Sequence, residues 1–152
     1  MSRAFVKESD AVDALPDRPV SPHPNYVTVR GLELIEAALA RAQENYAAAQ
    51  TAADREALAS SGRELRYWQQ RRASAELVPE PADSDTVHFG SHVTIARDGG
   101  GEQTWQIVGE DEADPSRGTV SYASPIARAL AGRKVGDVVQ AGNSEAEIVT
   151  IR

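Results

Sequence analysis

The sequence contains no cysteine and few aromatic residues. Without a thiol, disulfides, cysteine nucleophiles and thiolate metal sites are all excluded. Only 5% of the residues are aromatic, so a core must rest mainly on Ala, Leu, Val and Ile. The three histidines, His23, His88 and His92, show no spacing typical of metal ligands. We therefore expect no bound metal ion and no cofactor.

Long apolar runs are also missing from the sequence. No stretch approaches the roughly 18 residues that cross a bilayer, and the first residues, MSRAFVKESDAVD, lack the apolar core of a secretion signal. We therefore expect a cytoplasmic protein. The 23 acidic and 16 basic residues give a net charge of −7. This balance argues against a duplex-DNA binder, which needs a basic face, but it suits a protein partner with a basic surface.

The 152 residues divide into regions of different character. Four prolines fall between Pro16 and Pro24, so residues 1–26 are predicted to be an extended, mobile lead-in. Residues 27–79 have a helical pattern, and residues 80–85 form a linker. Residues 86–152 contain short β-rich runs separated by turn residues. The fold class predicted from this order is α+β with two domains.

The helical region carries an apolar repeat with alternating spacings of three and four. The repeat comprises Leu32, Ile35, Leu39, Ala42, Tyr46 and Ala49. Such a seam is typical of a helix that pairs along its length with another helix. A weaker seam follows at Leu58, Ser61, Leu65, Trp68, Arg72 and Ala75. The pattern predicts an antiparallel helical hairpin, or coiled coil, that starts after Thr28 and ends at Val78.

Two positions are possible for the turn of this hairpin. A turn near Ala53 makes the arms equal, about 24 residues and 35 Å each, and Thr51 with Asp54 resembles a capping box. A turn at residues 60–62 would use Gly62, the only glycine between Gly31 and Gly90, but would leave one helix unpaired at its end. We favour the first position.

The C-terminal region is predicted to form five strands and one short helix. Ser124 is the expected N-cap of the helix, Pro125 its first residue and Gly132 its stop signal. The strands are expected to form an antiparallel sheet, with the helix packed on it.

Several stretches resemble the GreA/GreB family of bacterial transcription elongation factors. The similarity extends from Tyr26 to Arg152 and is closer to the GreB-like branch in the second helix. The matching stretches are NYVTVRGLELIEAAL, LRYWQQRRASAELV, FGSHVTI, IVGEDEAD, SPIARALAGRKVGD and AEIVTI. The resemblance implies an FKBP-like C-terminal domain that docks on bacterial RNA polymerase at the secondary channel, into which the coiled coil is inserted.

The resemblance also implies roles for individual residues. The loop acids are expected to face the polymerase, together with the start of the short helix; this set is Glu110, Asp111, Glu112, Asp114, Ser124, Pro125 and Arg128. A basic face of the second helix is expected to contact nascent RNA through Arg63, Arg66, Arg71 and Arg72, although a solvated face paired within the helix to Glu64 or Glu76 is an equal alternative.

The tip of the hairpin departs from the family pattern. Family members place an acid pair in Gly-Asp-x-x-Glu-Asn-Ala, which holds a second Mg²⁺ at the polymerase active site. This chain offers only Asp54-x-Glu56, and its arms are shorter by roughly two turns, or about 12 Å. Because helix positions i and i+2 do not face each other, we interpret both acids as stabilising a helix start.

The resemblance and the altered hairpin tip together favour a monomeric regulator that occupies the secondary channel without efficient stimulation of transcript cleavage, and that is not itself an enzyme. Three alternatives stay open. One is cleavage stimulation through Asp54 and Glu56, with Mg²⁺ bound only at the polymerase. Another is FKBP-like prolyl isomerisation, for which few aromatic residues are present. The last is a structural module whose seam pairs between chains.

Overall fold

The computed structural model describes residues 15–152, so residues 1–14 of the predicted lead-in lie outside the described residues. The chain divides into two compact units. The first, here the hairpin unit, comprises residues up to Pro24 and Glu33–Ser74; the second, the sheet unit, comprises Asn25–Leu32 and Ala75–Arg152. Within the described residues, no helix is both long and apolar enough to span a membrane.

Two long helices form the hairpin, α1 at Val29–Ala52 and α2 at Arg55–Ser74. In the turn, Ala53 adopts a left-handed backbone with φ of 50°. Asp54 then caps α2, because its Oδ1 accepts a hydrogen bond from the Ala57 amide at 3.2 Å. The turn near Ala53 is thus confirmed, and the alternative at residues 60–62 is wrong.

The seam of α1 faces the inside of the hairpin, as predicted. Ile35, Ala42 and Ala49 are buried, and the larger seam side chains between them are partly buried. Glu36 of α1 pairs with Arg72 of α2 at 3.1 Å, so residues near the start of α1 meet residues near the end of α2. The helices are therefore antiparallel.

Gly62 lies buried inside α2 because the ring of Tyr46 packs over it. A Cβ atom at this position would lie 3.4 Å from a Tyr46 ring carbon and 3.4 Å from Nη1 of Arg66. The glycine marks a close helix contact and not a turn, which explains why the only glycine in this part of the sequence does not break the helix.

Replacing Gly62 with alanine is expected to stabilise the hairpin. The new methyl group would make ordinary contacts at 3.4 Å, and the substitution removes a helix penalty of about 0.8–1 kcal/mol. We expect urea denaturation to show a free energy of unfolding higher by about 0.5–1 kcal/mol. Gly62→Leu is the matched contrast, since its side chain must displace the Tyr46 ring. A clear loss of stability in Gly62→Ala would mean that the ring cannot yield.

The second helix ends earlier than predicted, at Ser74 and not at Val78. The cause is a short parallel strand pair, in which β1 at Tyr26–Val27 pairs with β2 at Glu76–Leu77. Residues 76–77 are therefore extended. This pair belongs to the sheet unit, together with the first turn of α1, whereas the sequence-based division assigned residues 27–79 to the hairpin.

The sheet unit contains a five-stranded sheet in the order β5-β4-β3-β7-β6. The strands are β3 His92–Arg97, β4 Glu102–Val108, β5 Thr119–Ser121, β6 Val138–Ala141 and β7 Ser144–Ile151. The antiparallel prediction holds except at one edge, where β4 and β5 run parallel. The connection between these strands includes a 3-10 turn at Pro115–Arg117, and β5 after it runs in the same direction as β4. The two-unit α+β fold class is confirmed.

One short helix, α3 at Pro125–Leu130, covers the sheet. Ser124 caps it and Pro125 is its first residue, as predicted. Its Leu130 is fully buried with apolar side chains of the central strands, among them Ile95 and Ile148. The core is therefore aliphatic, as the low aromatic content requires.

Candidate functional site

The acidic loop and the start of α3 lie at the same end of the sheet. Val108, the last residue of β4, pairs with Ser121, the last residue of β5, and the Tyr122 amide donates to the Val108 carbonyl at 2.9 Å. Because these strands are parallel, the segments that follow them leave the sheet at the same end. The loop with the predicted acids and the helix start with Ser124 and Pro125 are thereby brought together.

Glu112 holds this loop against the start of α1. The hydroxyl of Thr28 donates to Glu112 Oε1 at 2.5 Å and accepts from the Gly31 amide at 3.0 Å. A Cβ at Gly31 would lie only 2.8 Å from the same carboxylate oxygen. A carboxylate near a helix N-terminus is favoured by the helix dipole. Glu112 thus has a structural partner that lies 84 positions away in the sequence, too far for any local pattern to predict.

Asp114 shapes the far side of the loop. Its Oδ1 accepts from the Ser116 amide at 3.1 Å and from the Ser116 hydroxyl at 2.5 Å, which caps the 3-10 turn. Its own amide donates to the Thr119 hydroxyl at 2.7 Å. With Glu112 and Asp114 fixing its two sides, the loop places Glu110 and Asp111 between Gly109 and Glu112, where both are partly exposed.

Three aromatic rings pack together beside this loop. The ring centroid of Tyr26 lies 6.1 Å from that of Phe89 and 5.3 Å from that of Tyr122. A further ring, Trp105, packs against the aliphatic core. The rings on which a proline-binding pocket could be built are therefore engaged within the chain, which weighs against the prolyl-isomerase alternative.

The four arginines expected to face RNA differ in their surroundings. Arg71 is only 2% exposed, so its assignment to an RNA-facing surface is wrong, because a buried guanidinium cannot reach an outside phosphate. Arg63 is partly buried, and its Nε has no hydrogen-bond partner in the described part of the chain. Burial of charged side chains leaves no trace in the pattern of the sequence.

The remaining two arginines are exposed but paired. Arg66 Nε lies 2.6 Å from Asp17 Oδ1, and Arg72 pairs with Glu36 on α1. Their partners are thus distant in sequence, whereas the alternative prediction placed them within the same helix. RNA contact by Arg63, Arg66 and Arg72 stays a prediction.

The tip acids are arranged as parts of a helix start. Asp54 is the cap of α2 and Glu56 lies in its first turn, and both are exposed. No group of three or more metal-ligating side chains occurs among residues 15–152. The donor set at the tip is therefore two carboxylates on positions that do not face each other, which does not fit an ion held by this chain alone.

Two glycines, Gly109 and Gly31, mark close contacts of the loop. Gly109 directly follows a strand, and a Cβ there would lie 2.3 Å from the Tyr26 carbonyl oxygen. Gly31 lies in the first turn of α1 beside Glu112. A glycine where no turn demands one often marks a close approach, and both positions are contacts of the loop.

Comparison with known proteins matches the sheet unit most closely. The family model described as transcription elongation factor, GreA/GreB, C-term covers residues 81–152. Transcription elongation factor GreA of Alkalilimnicola ehrlichii is 52% identical over 71 residues, which are 43% of this chain and 45% of the relative. GreA of Nitrobacter hamburgensis is 43% identical over 83 residues, 51% of this chain and 52% of the relative. The matches span about half the length of these relatives.

Among solved structures, GreA factor homolog 1 of Thermus thermophilus aligns with 86% of this chain and 99% of its own, at 21% identity and a TM-score of 0.42. The sequence matches to the C-terminal domain are far stronger than this overlay. Residues 81–152 therefore match the C-terminal domain of the GreA/GreB family of transcription elongation factors.

Proposed function

We propose that the chain binds bacterial RNA polymerase through its sheet unit and inserts the helical hairpin into the secondary channel. It acts as a regulator of transcription elongation that does not stimulate transcript cleavage efficiently and performs no reaction of its own. The proposal rests on the GreA/GreB C-terminal domain and on a helical hairpin joined to it in the same chain.

The observation that carries the proposal is the anchored acidic loop. Glu112 and Asp114 hold the loop, and Glu110 and Asp111 are partly exposed at the end of the sheet where α3 begins. Pro125 and Arg128 on α3 are exposed. A fixed acidic surface suits a basic partner, because preset charge steers association and fixes orientation without an ordering cost.

The tip of the hairpin supports occupancy of the channel in preference to cleavage. Its longer arm has 24 residues, which corresponds to about 36 Å at 1.5 Å per residue. Asp54 at the tip already serves as a helix cap. Mg²⁺ prefers several hard oxygen ligands in near-octahedral geometry, and this tip offers one exposed carboxylate besides the cap.

The test is a transcript-cleavage assay on a backtracked polymerase complex. We expect the chain to leave the cleavage rate within about twofold of the intrinsic rate, and to reduce the stimulation given by a cleavage-competent Gre factor when present in excess. Asp54→Asn is the matched variant, because asparagine keeps the capping oxygen and removes the charge. It should compete as well as the unchanged chain.

A different result would establish the alternative function. Strong stimulation of cleavage by the chain, lost in Asp54→Asn and in Glu56→Gln, would show that the two acids act with Mg²⁺ at the polymerase active site. We further propose that the protein works as a monomer in the cytoplasm, where contact with nascent RNA through Arg63, Arg66 and Arg72 is an additional interaction.

A further inference from the structure

The described part of the lead-in, residues 15–24, is attached to α2 by adjacent side chains of opposite charge. Asp17 Oδ1 lies 2.6 Å from Arg66 Nε, and Arg18 Nη1 lies 2.9 Å from Glu64 Oε2. The two pairs bridge 49 and 46 positions of sequence. Because the charges alternate on both sides, they favour one register of the segment on the helix.

Arg18 also covers an aromatic pair on α2. Its guanidinium carbon lies 3.7 Å from the ring centroid of Tyr67 and 5.8 Å from that of Trp68. The two rings themselves meet edge to face, with centroids 4.9 Å apart. A cation stacked on an aromatic face is a favourable contact, so this arginine closes one side of the aromatic pair.

The contacts of Asp17 and Arg18 with α2 are made by their side chains. Residues 15–24 form no helix or strand, and their prolines lack the amide hydrogen that a sheet or helix would use. The ion-paired side chains are 35% to 62% exposed. Ion pairs with this exposure are weak individually and are screened by salt, so the segment can leave the helix while the hydrogen bonds of α2 stay intact.

We propose that residues 15–24 act as a reversible strap on the hairpin. In the closed state the strap covers Tyr67 and Trp68 and pairs Arg66 with Asp17. In the open state the aromatic pair is exposed to solvent and Arg66 is released. The position of the equilibrium depends on ionic strength, because electrostatic contacts hold the closed state. The inference concerns the hairpin unit alone and is independent of the polymerase proposal.

The test uses Trp68 as a reporter. The chain has two tryptophans, and Trp105→Phe leaves Trp68 as the only one. This background keeps an apolar ring in the sheet unit and removes an indole Nε1 that has no hydrogen-bond partner in the described residues. In it, Asp17→Asn combined with Arg18→Gln removes the charges of the strap. Glu36→Gln is the control, because it breaks the Glu36–Arg72 pair, which lies in the same hairpin but does not involve the strap.

Acrylamide quenching of Trp68 fluorescence should separate the two states. We expect the quenching constant to rise about twofold in the Asp17→Asn/Arg18→Gln variant, and to rise with salt in the parent between about 0.05 and 1 M. The double variant should have lost this salt dependence, and the Glu36→Gln control should behave like the parent. Equal quenching constants in the parent and the double variant would overturn the proposal.

Hydrogen exchange in the full chain with both tryptophans gives a second measurement. Far-UV circular dichroism first establishes that the helix content is unchanged. Removal of the strap charges should then leave the amides of α2 as protected as in the parent, because the hydrogen bonds of α2 do not involve the strap. If exchange along α2 becomes faster in the double variant, the segment is part of the stability of the helix and not a reversible strap, and the proposal fails. This result does not depend on whether the Trp105→Phe background folds.

Discussion

Replacing Gly109 with alanine should lower the free energy of unfolding by about 1–3 kcal/mol, the usual range for forcing an extra methyl group into a packed site. The new Cβ would lie 2.3 Å from the carbonyl oxygen of Tyr26, 3.4 Å from its carbonyl carbon and 3.7 Å from the Cα of Val27. These neighbours are backbone atoms, so a change of side-chain rotamer cannot relieve the clash. Backbone must move.

That backbone is held on its other side. The Glu76 amide donates to the Asn25 carbonyl, and the Val78 amide donates to the Val27 carbonyl, each at 2.9 Å. Moving Tyr26 would therefore disturb the β1–β2 pair and the contact of its ring with Phe89 and Tyr122. The clash cannot be relieved without breaking other contacts, so it should lower the free energy of unfolding.

Chemical denaturation followed by circular dichroism measures the effect. Gly100→Ala is the matched control, because a Cβ at Gly100 would meet nothing within 4 Å, and it should change stability by less than about 0.5 kcal/mol. If Gly109→Ala were as stable as Gly100→Ala, the close approach between the loop and Tyr26 would not exist in solution.

Reversing the charges of Glu110 and Asp111 should weaken polymerase binding by about tenfold or more. The new lysines would be repelled by a basic surface on the partner. The variant is Glu110→Lys combined with Asp111→Lys. Glu112 and Asp114 stay in place, so the hydrogen bonds that these two residues make are kept. Affinity for RNA polymerase is measured by titration at fixed salt. In a kinetic measurement at low salt, most of the loss should appear as a slower association rate.

The control carries the same change of net charge elsewhere in the domain. Glu145 and Glu147 are exposed on β7, beside the end of β3 at Arg97. The acidic loop follows β4 past the opposite end of β3, where His92 pairs with Gln106. Glu145→Lys with Glu147→Lys should therefore leave the affinity within about threefold if position matters and net charge does not. Equal losses in both variants would remove the docking role of the loop.

The elements of the fold that depend on local pattern could be predicted from the sequence. The apolar seam fixed the face of α1, and the cap chemistry of Ser124 and Pro125 fixed the start of α3. Neighbouring residues determine both features. Periodicity determines the buried face of α1, and hydrogen bonding to nearby amides determines the start of α3.

Contacts between distant residues were not predictable in the same way. The Asp17–Arg66 pair joins a proline-rich segment to a helix 49 positions away, and no periodicity connects the two. The hydrogen bond from Thr28 to Glu112 spans 84 positions. Burial of Arg71 and the parallel pairing of β5 likewise depend on tertiary packing, which overrides what charge or strand alternation suggests.

Direct binding to RNA polymerase decides whether the sheet unit and the hairpin act together as proposed. The purified chain is titrated against bacterial core polymerase, in the absence and in the presence of a GreA-type factor that occupies the secondary channel. We expect saturable one-to-one binding, and we expect the second factor to displace the chain. Absence of binding, or binding that the channel-occupying factor leaves unchanged, would contradict the proposed function.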